Sequence, residues 1–309
     1  MNFIVFPGQG SQKIGMGKKL SENFPEAKEV FNEVNDALNL DLTKIMWEGS
    51  DSEISLTTNA QPALMACGVA AFRVLSKLVD KNLKQLADYT CGHSLGEYTA
   101  MTVAQVFSLK ECSVLLRLRG EAMQQAVPVG KGAMAALIGI TIDQTNKIIE
   151  KVQTHGICDI GNDNADGQVV ISGDVKAVEN AIEIAKNNGA KRAILLPVSA
   201  PFHCRLMKPA RLIMEEALNN LKFNAPLIPI VSNITALSHE DPMTLRKNLI
   251  DQVTGTVRWR ETMMFAKNKG VKNIIELGSG KVLTGIAKRM IRDISSKSFE
   301  NPEDFDSLL

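Results

Sequence analysis

Short apolar runs alternate with longer stretches in which apolar residues return every three to four positions. Asn2-Phe3-Ile4-Val5-Phe6 is a continuous apolar run, the pattern of a buried strand, and Pro7-Gly8 stops it. Helical spacing follows near Glu26–Ala37 and, after the cap-like Thr58, near Ala63–Leu78. Ala87–Cys91 reads as a short strand that feeds a helix from Glu97. Ser108 and Glu111 form an S-x-x-E capping box that opens a helix to about Val127. Alternation of this kind predicts an α/β protein with a parallel sheet.

After Pro128-Val129-Gly130 the pattern changes. Ala133–Gly139, Gly156–Gly161, Gln168–Ser172 and Arg192–Val198 read as strands, with helices at Thr141–Thr154 and Val175–Asn187. The order β-α-β-β-α-β predicts a ferredoxin-like unit over 128–198, inserted into a body made of 1–127 and 199–309. In the second part of that body, Pro201–Leu221, Pro242–Gln252 and Trp259–Lys267 carry helical patterns, and Ile228–Val231 reads as a strand. Asn273–Leu277 reads as another strand, leading through Gly278-Ser279-Gly280-Lys281 into a helix that ends at Arg289. The polar tail from Ser295, acidic towards its end, predicts a poorly ordered terminus.

Composition narrows the class. The 309 residues carry a formal net charge of +1, which leaves no broad basic footprint for nucleic acid or an anionic membrane. Five cysteines, odd in number and without a CxxC pair, indicate reduced thiols and no zinc site. Cys91 and Cys204 read as small buried hydrophobes. No run approaches a membrane span, and the first apolar run is too short for a signal peptide. A cytoplasmic protein is expected, and nothing in the chain demands more than a monomer.

Candidate chemistry centres on Gly92-His93-Ser94-Leu95-Gly96. G-x-S-x-G between a strand and a helix has the form of a nucleophile elbow, and the alternative is a glycine-flanked serine acting as a helix N-cap. A serine needs a base, and the chain has four histidines. His93 adjoins the serine and points away from it; His155 and His239 lie at a helix end and in a surface loop. His203, opening a helix after the strand near Val198, is the candidate base. Arg119 falls on the apolar stripe of its helix with Leu115, Ala122 and Ala126, while Arg117 points the opposite way. An inward guanidinium is either an internal ion pair or snorkelling stem, or a clamp for a substrate carboxylate. The glycines of Phe6-Pro7-Gly8-Gln9-Gly10-Ser11-Gln12 lack the lysine and spacing of a phosphate loop and can let a backbone N–H approach the serine.

Taken in order, these motifs resemble the malonyl-CoA:acyl carrier protein transacylase family. The match is carried by Phe6–Gln12, Thr58-Asn59-Ala60-Gln61-Pro62-Ala63, Gly92–Glu97, Arg119-Gly120 with Met123-Gln124, and Gly167–Gly173. It continues through Phe202-His203, Thr256-Val257-Arg258-Trp259, Glu276-Leu277-Gly278 and Gly280–Leu283, so that it runs to about Arg292. The resemblance implies an α/β-hydrolase-like body with a ferredoxin-like insert and a ping-pong transfer of malonyl from malonyl-CoA to the pantetheine thiol of acyl carrier protein, for fatty-acid synthesis. It implies Ser94 as nucleophile, His203 as base and the backbone N–H groups of Gln9 and Leu95 as oxyanion hole. The carbonyl of Gln252 would orient the histidine, Arg119 would bind the malonyl carboxylate, and Asn162 and Asn164 would lie beside the site.

No cofactor is implied, since the coenzyme A thioester is a substrate. Many relatives have Ser where this chain has Phe202, and Pro is common at Ser279, where only a local backbone effect is expected. The acidity of the carrier protein makes Lys208, Arg211, Lys281 and Lys288 candidate docking residues. The rival readings are a serine esterase or thioesterase, which would use the same serine and histidine, and a carrier-protein-binding scaffold without chemistry.

Overall fold

The computed structural model describes residues 1–198 and 200–308; residue 199, where the second part of the body was placed to begin, and residue 309 lie outside the described residues. The described strands are β1 (Asn2–Phe6), β2 (Tyr89–Gly92), β3 (Gly132–Ile138), β4 (Cys158–Ala165) and β5 (Gln168–Asp174), followed by β6 (Arg192–Leu195), β7 (Ile230–Val231), β8 (Ser238–His239), β9 (Asn273–Leu277) and β10 (Ser295–Phe299). They form two sheets, β10-β9-β1-β2-β7-β8 and β4-β5-β3-β6. The first is parallel except for β8, and helices cover it. The second is antiparallel and has the strand order of a ferredoxin-like unit.

β1 lies at the middle of the first sheet, and its alternate side chains feed different cores. Ile4 and Phe6 join the large cluster that includes Leu64, Leu95 and Leu116, whereas Phe3 and Val5 join Trp259, Ile274 and Leu283 on the other face. Each such side chain contributes roughly 1.5–3 kcal/mol on burial, which explains why the strand is apolar at consecutive positions. The second sheet has its own core, in which Leu137 and Ile171 meet Ile148, Val178 and Ile182. β4 is kinked by register shifts and joined to the body where Asn162 bridges Val257 and Arg260 pairs with buried Asp163 at 2.9 Å. Among the described residues no helix is long and apolar enough to cross a membrane.

Three local expectations are corrected. The helix Thr57–Leu78 starts before Pro62, its N-cap is Leu56, and Thr58 does not cap it. Proline there removes the N–H that would meet the Thr58 carbonyl, and Arg117 Nη1 donates to that carbonyl instead, at 3.4 Å. The helix read as Pro201–Leu221 is a 3₁₀ turn, Arg205–Met207, followed by Lys208–Asn219, so His203 lies in the preceding turn and opens no helix. The tail is ordered: β10 pairs in parallel with β9, and Phe299 and Phe305 are buried against each other, with ring centroids 5.0 Å apart.

Candidate active site

β2 ends at Gly92, the helix Leu95–Val103 begins two residues after His93, and Ser94 stands in the turn between them at φ 53°, ψ −110°. A non-glycine residue held there costs on the order of 1–3 kcal/mol, which the surrounding packing offsets. The flanking glycines are required by close approach. A Cβ on Gly92 would overlap the Gly96 backbone, and one on Gly96 would overlap the Phe6 carbonyl. Asn233, just after β7, fixes the turn: its Oδ1 accepts from the Ser94 N–H at 2.7 Å and its Nδ2 donates to the Gly92 carbonyl at 2.7 Å.

Ser94 Oγ lies 2.8 Å from His203 Nε2, and His203 Nδ1 lies 2.9 Å from the Gln252 carbonyl. A carbonyl can only accept, so Nδ1 carries the ring proton and Nε2 is left to accept the serine hydroxyl proton. His203 also has a left-handed backbone, φ 58°, and is 3% exposed. Burial first, and then the charge of Arg119, push its pKa down to about 3, which keeps the imidazole neutral. Among the described residues no carboxylate hydrogen-bonds this histidine; its Nδ1 partner is a main-chain carbonyl.

Arg119 is 1% exposed, and its guanidinium packs over the Tyr98 ring at 5.4 Å. Nη1 donates to Gln61 Oε1 at 2.7 Å; Nη2 donates to Gln252 Oε1 at 3.0 Å and to Ser94 Oγ at 3.1 Å, and Nε has no partner. All these partners are neutral, so among the described residues Arg119 makes no ion pair, and its stem does not snorkel to solvent. Burial pulls its pKa down from the ordinary guanidinium value. A buried, unpaired cation beside a nucleophile is a place for an anion.

The remaining residues surround this core. A Cβ on Gly8 would come within 2.7 Å of the His93 carbonyl, so the loop bearing Gln9 packs directly on the elbow. The Gln9 side chain donates to Thr57 Oγ1 at 3.1 Å, and Leu95, first in its helix, has a backbone N–H without an intrahelical acceptor. Asn164 Oδ1 lies 2.8 Å from His93 Nε2, and the His93 ring packs on Trp259 with centroids 5.6 Å apart, so His93 links the elbow to β4. Asn162 is buried on the same strand at the Val257 bridge.

Glu97, in the first turn of the serine helix, is fully buried, and burial pushes its carboxyl up to about 7. Gln61, Glu97, Asn233 and the Gln252 side chain were not singled out by sequence. Gln61 lies inside a quoted motif, and Glu97, polar in an apolar helix, is the same anomaly that exposed Arg119. Of the candidate docking residues, Arg211 is bound to Glu215 and Asp251 at 3.0 Å each. Lys208, Lys281 and Lys288 are exposed.

Fold and site together define an α/β acyltransferase with a serine–histidine pair at a strand–helix turn. The chain belongs to the acyl transferase domain family, whose model matches residues 3–300. It is 42% identical to the malonyl CoA-acyl carrier protein transacylase of Bacillus subtilis (strain 168), over 97% of this chain and 93% of that protein. The crystal structure of the acyl-carrier-protein-S-malonyltransferase from Bartonella henselae superimposes with a TM-score of 0.97 at 49% identity, covering 100% of this chain and 98% of that one. A malonyl-transacylase solved in complex with its type II polyketide acyl-carrier protein has a TM-score of 0.95 at 38% identity, covering 100% and 98% of the two chains.

Proposed function

We propose that this protein moves a malonyl group from malonyl-CoA to the pantetheine thiol of an acyl carrier protein through a malonyl ester on Ser94. The observation that carries this reading is Arg119, a buried guanidinium with only neutral partners, 3.1 Å from the nucleophile. An acyl group ending in a carboxylate supplies the missing charge, and the short malonyl chain keeps that carboxylate within reach of a serine-bound ester.

In the first half-reaction the Ser94 hydroxyl gives its proton to His203 Nε2 while Oγ attacks the thioester carbonyl. The negative charge that develops on the carbonyl oxygen faces the N–H groups of Gln9 and Leu95. The tetrahedral adduct collapses, the C–S bond breaks, and the coenzyme A sulfur leaves with the proton from His203. The carrier thiol then repeats the steps in reverse order of roles: His203 takes the thiol proton, sulfur attacks the ester, and Ser94 Oγ leaves and recovers the proton. Asn164 supports the elbow through His93, and Asn162 holds β4 against the body at Val257. The chemistry needs no resident cofactor, and we take the enzyme to be a cytoplasmic monomer.

Intact-mass measurement after malonyl-CoA addition tests the reading. A mass gain of one malonyl group on Ser94, discharged by holo-carrier protein, is expected; rapid release of free malonate without a stable adduct would instead identify a hydrolase, and no adduct at all a scaffold.

A further inference from the structure

The steps above leave Glu97 unused, although a fully buried carboxyl is costly to keep. Its Oε2 accepts from the Asn233 backbone N–H at 3.1 Å and from Gln252 Nε2 at 2.7 Å, while Oε1 is buried without a hydrogen-bond partner. Gln252 stands at the centre of the site. Its backbone carbonyl holds His203, and its side-chain Oε1 accepts from Arg119. A side-chain amide can sit either way round. Here Nε2 lies within 3.2 Å of three oxygens, those of the Ser94 carbonyl, Glu97 and Asn233 Oδ1. A flip would press the amide oxygen on those three and turn its N–H₂ onto the guanidinium. Of the three contacts, that to Glu97 is the shortest.

We propose that Glu97 is a positioning residue that fixes the Gln252 side-chain amide and, through it, aims the Arg119 guanidinium at the acyl carboxylate. This rests on the reading of Arg119 given above. Glu97 touches neither substrate nor reacting atoms; it acts on which atom of Gln252 faces the arginine.

The test compares E97A and E97Q with the unaltered enzyme, using malonyl-CoA and acetyl-CoA as donors. Loss of this buried hydrogen bond, which leaves the Gln252 amide without its shortest acceptor, predicts that E97A lowers malonyl kcat/KM about tenfold or more, chiefly through KM, and lowers acetyl kcat/KM much less. The amide oxygen of E97Q can replace Oε2 as acceptor, so E97Q is expected to recover most of the malonyl activity. Equal losses with both donors in E97A, or an E97Q no better than E97A, would mean that the acid merely holds the fold and would overturn the proposal. If E97A is too unstable to assay, E97D withdraws the carboxylate by one methylene; the same malonyl-selective loss is expected, and a uniform loss overturns the idea. R119A runs in parallel. Should it lose both donors equally, the reading of Arg119 fails, whatever the Glu97 variants do.

Discussion

At the scale of single residues, Arg119 is expected to separate malonyl from other acyl groups. Leaving a carboxylate without its buried cation costs roughly 3–5 kcal/mol, so R119A is expected to lose on the order of 10²–10³ in malonyl kcat/KM. Acetyl transfer should survive, and its pH profile should change. Burial, and then the Arg119 charge, push the His203 pKa down to about 3, so its imidazole is neutral above that pH. Removing the neighbouring cation raises the histidine pKa, so the acidic limb of the acetyl rate moves to higher pH in R119A, short of the ordinary value because burial remains. An unmoved limb would remove Arg119 from the account of the histidine. Ser94 and Arg119 were legible in the sequence because each breaks a local pattern: a serine between glycines, a charge on an apolar stripe. His203 was chosen from four histidines as opening a helix after a strand near Val198, whereas β6 ends at Leu195 and no helix opens at His203. Asn233 and Gln61 break none. Neutral amides are tolerated anywhere on a chain, and their roles depend on distant partners that periodicity does not reveal.

Among the elements, the C-terminal strand shows how the loop bearing Gln9 is held. Ser279 Oγ lies 2.7 Å from the Ser11 carbonyl and 3.1 Å from Glu300 Oε1, and Lys13 reaches the same Glu300 oxygen at 2.7 Å. The hydroxyl thus ties the Gln9 loop to the end of β10, which corrects the expectation that Ser279 affects only its own turn. Removing it in S279A is expected to cost about 1 kcal/mol, lowering Tm by roughly 2–4 °C. Malonyl transfer should slow a few-fold as the loop loosens; thermal melts and initial rates check both. β1, β9 and most helices were legible as apolar runs or 3.6-residue stripes. β10 was not, because Ser295-Ser296-Lys297-Ser298-Phe299 offers one apolar side chain and gains its order from backbone pairing with β9.

Across the whole molecule, the site is assembled from both sides of the second sheet. Ser94 and Arg119 come before it in sequence, His203 and Gln252 after it, and Asn162 and Asn164 from within it on β4. A carrier protein must bring its thiol to this junction, and three basic residues remain free for an acidic partner once Arg211 is set aside as paired. Charge reversal at Lys208, Lys281 or Lys288 is expected to raise KM for the carrier protein and flatten its salt dependence, with KM for malonyl-CoA unchanged. Variants that leave both carrier-protein terms unaltered would exclude these lysines.

The hydrogen bonds of Arg119 and the low pKa of His203 have a joint consequence for timing. Burial is the larger cause of the low His203 pKa and Arg119 the second, so a malonyl carboxylate resting on the arginine would relieve only the arginine's share and strengthen the base part of the way for unloading. An acetyl group on Ser94 brings no such charge and leaves the base weak. Selection is then exercised twice, once when the donor enters and again when the acceptor arrives, and acetyl-Ser94 is expected to outlive malonyl-Ser94 when carrier thiol is added in a chase followed by mass.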